Sequence, residues 1–415
     1  PGSSIRQVYE DSLADDARAR EIGLKALDDA QQVLLAAMPG GALVVFNSLG
    51  WPRGGLVSVP WSESLEARAL QDGNGFALPA QVIGESGERR VLFMTPLIPS
   101  LGYRALSLTN VSTQPAVSGA PNPLTITPQQ IESPWHTLEF NEHGQITRLW
   151  DKAHQRDVLA APGNILQAFQ DKPLKFDAWD IDIYYEDRFE KIEGVTAIEI
   201  TESGPLRATV TVERQYRQSR LIQKIQLWAG SARLDFDTWI DWHEHHTLLK
   251  ASFPVDVMSP TATFDVQWGN VQRPTHRNTS WDWARFETCA HKWADLSEGN
   301  YGVALLNDCK YGYDVLDNVL RLTLLKSATN PDPNADQGEH RMTYSLLPHD
   351  GDWRGEVVAA AYDLNDPLIL KAVSGAAGAS ATGSLVSLDA SWAVIETVKR
   401  AEDGRGVIVR LYEHQ

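Results

Sequence analysis

Over the first forty residues, apolar side chains recur at close to helical spacing: Val8, Ile22, Leu24, Leu27, Val33, Leu34 and Leu35. Ser4 can cap the start, and Pro39-Gly40-Gly41 stops the pattern. One helix is expected, or two divided near Leu13–Asp16. From Ala42 the period shortens. ALVVFNSLGWPRGGLVSVPW and VLFMTPLIPSLGYRALSL are short apolar runs cut by turn residues, which predict strands of a small β-domain. VSTQPAVSGAPNP follows as a linker or hairpin excursion. Beyond Thr125, HTLEFNEHGQITRLWDK turns at His143-Gly144, and Val195–Val212, Arg220–Leu227, Ala232–Trp242 and His246–Phe253 are four further strand candidates. AVSGAAGASATGS marks another boundary, and Ala390–Glu413 predicts closing hairpins around Asp403-Gly404. Many consecutive strands without intervening helices argue for an antiparallel sandwich. The expected division is helical over 1–40, small β-domain over 41–114, large β-sandwich over 115–360 and C-terminal β-domain over 361–415.

Composition narrows the partners. The chain of 415 residues is 43% apolar and 22% charged, ordinary values for a globular protein. Its net charge of −17 repels phosphate backbones and anionic lipids, so neither nucleic acid nor a membrane surface is an expected partner. No run of eighteen apolar residues is present. Cys289 and Cys309 are the two cysteines, which points to reduced thiols in a cytosol, with a single bridge as the alternative. Pro1 stands where an initiator Met would, so the chain reads as processed or cut down.

Chemistry concentrates between Phe264 and Val315. Strand-like Asp265–Gly269 and Tyr301–Asn307 enclose His276, Arg277, Trp281, Trp283, His291, Lys292, Trp293 and Asp295. Tryptophan faces stack on sugar C–H surfaces while charged groups hold hydroxyls, so a carbohydrate is the natural ligand. The alternative is a Trp-rich core with its polar edges satisfied internally. His276, Arg277, His291 and Lys292 offer a general acid or oxyanion partner, but no neighbouring Ser, Cys or Asp has the context of an activated nucleophile.

A second cluster spans Phe176–Tyr185. If extended, it places Asp180, Asp182 and Tyr184 on one face, with Asp177 nearby. Such carboxylates serve acid–base chemistry, a hard cation or sugar hydroxyls; the alternative is a solvated acidic loop. On a strand, His243 and His245 would share a face as two metal ligands, but no further ligands are near, so a hydrogen-bonded or exposed strand is favoured. Cys309 reads as a structural cysteine rather than a reactive thiol. The Gly40-Gly41 and Gly54-Gly55 loops lack a Walker lysine.

Four ordered stretches carry a family resemblance. RPTHRNTSWDWARFETCAHKWADLSE, followed by YGVALLNDCKYGY, is the longest. The others are LQAFQDKPLKFDAWDIDIYYED at Leu166–Asp187, FNSLGWPR at Phe46–Arg53 and VKRAEDGRGVIVRLYE at Val398–Glu413. Together they resemble the C-terminal β-region of glycoside hydrolase family 38 α-mannosidases, in the bacterial and cytosolic branch.

The resemblance implies a mainly β fold: the end of a helical bundle, a small β-domain, a large mutarotase-like antiparallel super-sandwich and a small C-terminal β-domain. It implies zinc-assisted hydrolysis of terminal α-D-mannosides with retention, by an Asp nucleophile and a carboxylic acid. Nucleophile and zinc ligands would lie in a catalytic barrel before Pro1, so neither a catalytic residue nor a metal is expected in this chain. The expected substrate-binding set is Asp177, Trp179, Asp180, Asp182, Tyr184, Arg277, His291, Lys310 and Tyr311. Stretches 177–185 and 291–313 are expected to meet at one sandwich edge, with Asp180 near Lys310. The implied partners are an α-mannoside glycan and the barrel of the same polypeptide, with a homo-oligomer as a further option, in the cytoplasm. Two alternatives stay open: a stand-alone carbohydrate-binding sandwich, or a mutarotase-type enzyme with its own His–carboxylate pair.

Overall fold

The computed structural model describes residues 4–36, 38, 42–61, 68–71, 77–85, 87–110, 122–373, 382–390 and 392–413. The Pro39-Gly40-Gly41 stop, and most of VSTQPAVSGAPNP and AVSGAAGASATGS, lie outside these residues. The fold is mainly antiparallel β, as the strand patterning predicts. Arg6–Leu35 is a single helix rather than two. Most of its apolar stripe is open: Val8, Leu13, Ile22, Leu24, Leu27 and Val33 are exposed, whereas Leu34 and Leu35 pack with Val44 and Phe46. Among the described residues no helix is long and apolar enough to cross a membrane.

Residues 18–123, 204–206 and 366–415 form one compact unit. One of its sheets orders Ile369–Ala372, Ala42–Asn47, Gly102–Asn110 and Thr382–Ser384 side by side, with Arg68–Gln71 also on Gly102–Asn110. Strands from the C-terminal stretch therefore complete a sheet begun three hundred residues earlier, a pairing that local patterning does not reveal. Leu43, Val45, Val57, Phe93, Ile98 and Leu106 make its core. The expected hairpin at Asp403-Gly404 joins Ala393–Arg400 to Val407–Glu413, with Gly404 taking the positive φ its turn needs.

The other unit comprises residues 1–17, 124–203 and 207–365. It holds a five-stranded sheet over residues 125–157, a six-stranded sheet and a nine-stranded sheet. The six strands run in the order Phe189–Lys191, Ile165–Gln170, Thr247–Pro254, Val319–Lys326, Gly312–Leu316 and Thr288–Cys289. The predicted Val195–Val212 strand is instead a hairpin: Val195–Ser203 pairs with Arg207–Tyr216, turned at Gly204 with φ +90°. The predicted Asp265–Gly269 strand is likewise a hairpin turn between Thr261–Val266 and Gly269–Pro274.

Alternation decides which face meets the core. Leu249, Ala251 and Phe253 join Ile225, Phe236, Ile240 and Tyr344 in one large apolar cluster. Leu248 faces the other way and packs with Phe169 and Tyr185. Thr247–Phe253 is thus buried on both sides, which requires a second layer over the outer face. A nine-residue helix, Val357–Asn365, covers Leu306, Leu347 and Trp293; it went unforeseen because its AAAY core carries little periodicity.

Trp242 is fully buried, stacks on Tyr216 at 6.0 Å and donates its indole N–H to Ser327 Oγ at 3.2 Å. Trp242→Ala is expected to destabilise the sandwich by about 3–5 kcal/mol, read as a lowered urea midpoint with native-like circular dichroism at zero denaturant.

Candidate functional site

The outer face of the six-stranded sheet carries charges where most sheets would carry apolar cover. Lys250, Arg321, Thr323 and Asp314 are brought to it by register: Lys250 lies opposite Thr323, and Asp314 opposite Arg321. Lys250 has no exposed side-chain surface. Its ammonium donates to Glu287 and, at 2.6 Å, to Asp314 Oδ2, and lies 5.1 Å from the centre of the Tyr185 ring. Thr323 Oγ1 donates to the other Glu287 oxygen at 2.7 Å.

Arg321 extends the network. Its Nε donates to Asp314 Oδ1 and its Nη2 to Glu186 Oε1, each at 2.7 Å. Arg277 clamps Glu186 bidentately at 2.6 and 2.9 Å. Three cations face three carboxylates, so the network is neutral as a whole. Burial alone would lower the Lys250 pKa, but Asp314 and Glu287 more than reverse this and hold the ammonium charged. Burial raises the Tyr185 hydroxyl well above its ordinary value, with Asp314 adding to the effect.

This network fixes the acidic stretch, which is not extended as expected. Phe176 takes φ +57°, and its carbonyl accepts from the N–H groups of Trp179 and Asp180. A 3-10 turn follows over Ile183–Asp187. Asp177, Asp180 and Asp182 therefore do not share a face. Asp177 Oδ2 accepts from the Thr329 amide at 2.7 Å and hydroxyl at 3.1 Å. Asp182 accepts from the Leu174 amide at 2.9 Å, and Asp180 is exposed. Trp179 and Tyr184 are 72% and 70% exposed, so both present their rings to solvent.

The second expected stretch divides. Arg277 belongs to the network, and Phe286 lies 6.1 Å from Tyr185 between ring centres. Trp281 and Trp283 are exposed on a four-residue helix capped by Thr279 and Asp282. Trp293 is core, stacked on Trp353 at 5.5 Å. His291 meets the exposed Tyr311 ring edge-on at 5.5 Å. Lys310 is half-buried, and its nearby carboxylate is Asp336. Among the described residues Asp180 and Lys310 do not pair. What meets stretch 176–187 is Arg277, Phe286, Asp314, Thr329 and Asn330.

His243 and His245 are not on a strand: Leu234–Trp242 ends before them and they lie in the connection to Thr247. His243 Nε2 pairs with Asp241 at 2.9 Å. Among the described residues no three His, Cys, Asp or Glu side chains converge as metal ligands. Both cysteines are free. Cys309 reaches the surface, but burial of its sulfur and the neighbouring Asp308 push the thiol up to about 12, the opposite of activation.

Sequence reasoning missed Lys250, Glu287, Asp314, Arg321 and Glu186. One signal was present: Lys250 interrupts the apolar run TLLKASFP, and a lysine buried on both sides of a strand must find carboxylates.

The fold thus defines an antiparallel β-region with a charged, aromatic-edged outer face. Residues 131–334 match the glycosyl hydrolases family 38 C-terminal domain. Alpha-mannosidase 2C1 of Mus musculus is 36% identical over 424 residues, covering 99% of this chain and 38% of that protein. Alpha-mannosidase G of Dictyostelium discoideum is 35% identical over 339 residues, covering 77% of this chain and 31% of its own. An alpha-mannosidase crystal structure from Enterococcus faecalis V583 shares the fold with a TM-score of 0.81 at 16% identity, over 100% of this chain and 56% of that one. The chain belongs to glycoside hydrolase family 38 and corresponds to its C-terminal β-region. It spans well under half the length of these curated relatives.

Burial would raise the Glu186 pKa, yet the hydrogen bonds and charges of Arg277 and Arg321 bring it down to about 2. Its ordinary value is about 4.3, so the folded state binds this proton more weakly than the unfolded state. The resulting stabilisation is complete above about pH 4.5 and is lost as pH falls towards about 2. Glu186→Gln is expected to lower stability by on the order of 3 kcal/mol at neutral pH. In chemical denaturation at stepped pH, its deficit against the parent should shrink through that window; a deficit independent of pH would contradict the assignment.

Proposed function

We propose that this chain is the C-terminal portion of an α-mannosidase that hydrolyses terminal α-D-mannosides with retention, scaffolding a catalytic barrel and lending a rim to its substrate pocket. The observation that carries the reading is the match to curated alpha-mannosidases along almost the whole chain. The charged face supports it chemically. Exposed Trp179 and Tyr184 stand beside exposed Asp180 on a turn held by the Glu186 clamp. Aromatic rings stack on sugar faces, and a carboxylate accepts from sugar hydroxyls.

Retaining hydrolysis needs two carboxyl groups about 5–5.5 Å apart, one attacking the anomeric carbon and one protonating the leaving oxygen. The carboxylates of the charged face are taken up by lysine and arginine, so this chain's part is to bind and orient. Zinc, where such an enzyme uses it, polarises the sugar or its water. Among the described residues none fits that ion, since His243 is paired with Asp241 and no three ligating side chains converge. Two free cysteines suit a reducing, cytoplasmic location.

In the full-length polypeptide, Trp179→Ala and Asp180→Asn are each expected to lower kcat/KM for an aryl α-mannoside about tenfold, roughly 1.4 kcal/mol, at unchanged melting temperature. Unchanged kinetics in both variants would remove this turn from the rim. Turnover by the 415-residue chain alone would overturn the division of labour between chain and barrel.

A further inference from the structure

Although the chain carries a net charge of −17, its described residues form a pocket of the opposite sign. A cavity of about 190 Å³ opens between the end of Ile165–Gln170, the strand Phe189–Lys191, the turn at Tyr216-Arg217 and the connection His245–Thr247. That is far above the ~10–15 Å³ needed for one water. Lys172, Arg188, Arg217, His245 and His246 line it, against the single carboxylate Glu190. Glu190 is already engaged by Arg217 at 3.1 Å and by the Tyr216 hydroxyl at 3.3 Å. Among the described residues Lys172, Arg188 and His245 form no ion pair. The pocket is therefore net positive with both imidazoles neutral, whereas the arginines of the adjoining sheet face are matched by carboxylates.

The walls are built rather than incidental. Arg217 takes φ +51° in the two-residue turn that joins Arg207–Tyr216 to Ser219–Trp228, and His246 takes the same φ in the connection before Thr247. His246 is fixed through Nε2 by Thr329 Oγ1 at 3.2 Å. Behind it His246 Nδ1 lies 3.7 Å from Asp177 Oδ2, while Asp171 Oδ1 and Asp177 Oδ1 are buried without hydrogen-bond partners. Phe189, 43% exposed and 5.0 Å from Phe169 between ring centres, adds an apolar face beside the cations.

We infer that this pocket binds the anionic end, phosphate or carboxylate, of a sugar-sized ligand, with Lys172 and Arg188 supplying the charge and Phe189 an apolar wall. Arg188 offers a planar fork suited to either oxyanion, and Lys172 a point charge. The inference rests on the charge pattern and stands apart from the mannoside reading.

The test is calorimetric titration of the full 415-residue chain at low ionic strength with inorganic phosphate, glucose 6-phosphate, gluconate and glucose. Saturable binding is expected for the anionic probes but not for glucose, weakening as salt is raised. Preference for glucose 6-phosphate over gluconate would assign a phosphate, and the reverse a carboxylate. The Lys172→Ala/Arg188→Ala double variant, whose side chains are exposed, should keep its melting temperature and lose at least tenfold in affinity. Absence of saturable binding, glucose binding as tightly as the anions, or affinity unchanged in the double variant would each overturn the proposal.

Discussion

A buried ammonium is the constraint on which the outer half of the sandwich depends. Lys250 sits in the middle of a strand that is covered on both faces. A charge in that position is tolerated only when carboxylates and hydrogen bonds replace its water. Glu287 and Asp314 do so, and both come from the end of the sheet formed by Gly312–Leu316 and Thr288–Cys289. Asp314 then engages Arg321, Arg321 engages Glu186, and Glu186 engages Arg277. Apart from the Asp314–Arg321 pair within one hairpin, each link recruits a segment distant in sequence, so one lysine organises the turn over 183–187 and the loop over 277–288. Removing one member would leave a buried charge unmatched, which typically costs about 3–5 kcal/mol.

That arrangement explains how one sheet serves two purposes. Its inner face is apolar and closes the sandwich against the nine-stranded sheet. Its outer face is polar yet dry, and holds exposed Trp179 and Tyr184 on a turn with little freedom of its own. A ligand meeting that turn therefore encounters groups already ordered, which spares the entropy of arranging them on binding. The cationic pocket reaches the same region through His246, whose ring also touches Thr329, the residue that orders Asp177.

The strands were legible from their own residues: Ala232–Trp242 alternates, Tyr301–Asn307 is a continuous apolar run, and both are found almost where patterning places them. The C-terminal hairpin was legible from Asp403-Gly404. Features that depend on distant residues were not. The condition that 176–185 be extended is not met, because its conformation is set by Arg277, Arg321, Thr329 and Asn330 rather than by its own side chains. Asp180 is open to solvent, one of the two states expected for it. Trp293 and Trp281 look alike in sequence, yet one is core and the other surface, because only Trp293 lies on a strand of the nine-stranded sheet. Lys250 was visible as an oddity in an apolar run, but its three-dimensional partners were not.

Hydrogen–deuterium exchange on a Lys250→Met variant tests this account most directly. Methionine keeps the length and apolar stem of the side chain while removing the charge that gathers Glu287 and Asp314. Amides over residues 176–190 and 277–288 should exchange markedly faster than in the parent, while those of Ser219–Trp228 and Leu234–Trp242 keep their protection. Unchanged protection over 176–190 would contradict the claim that the buried lysine positions that turn.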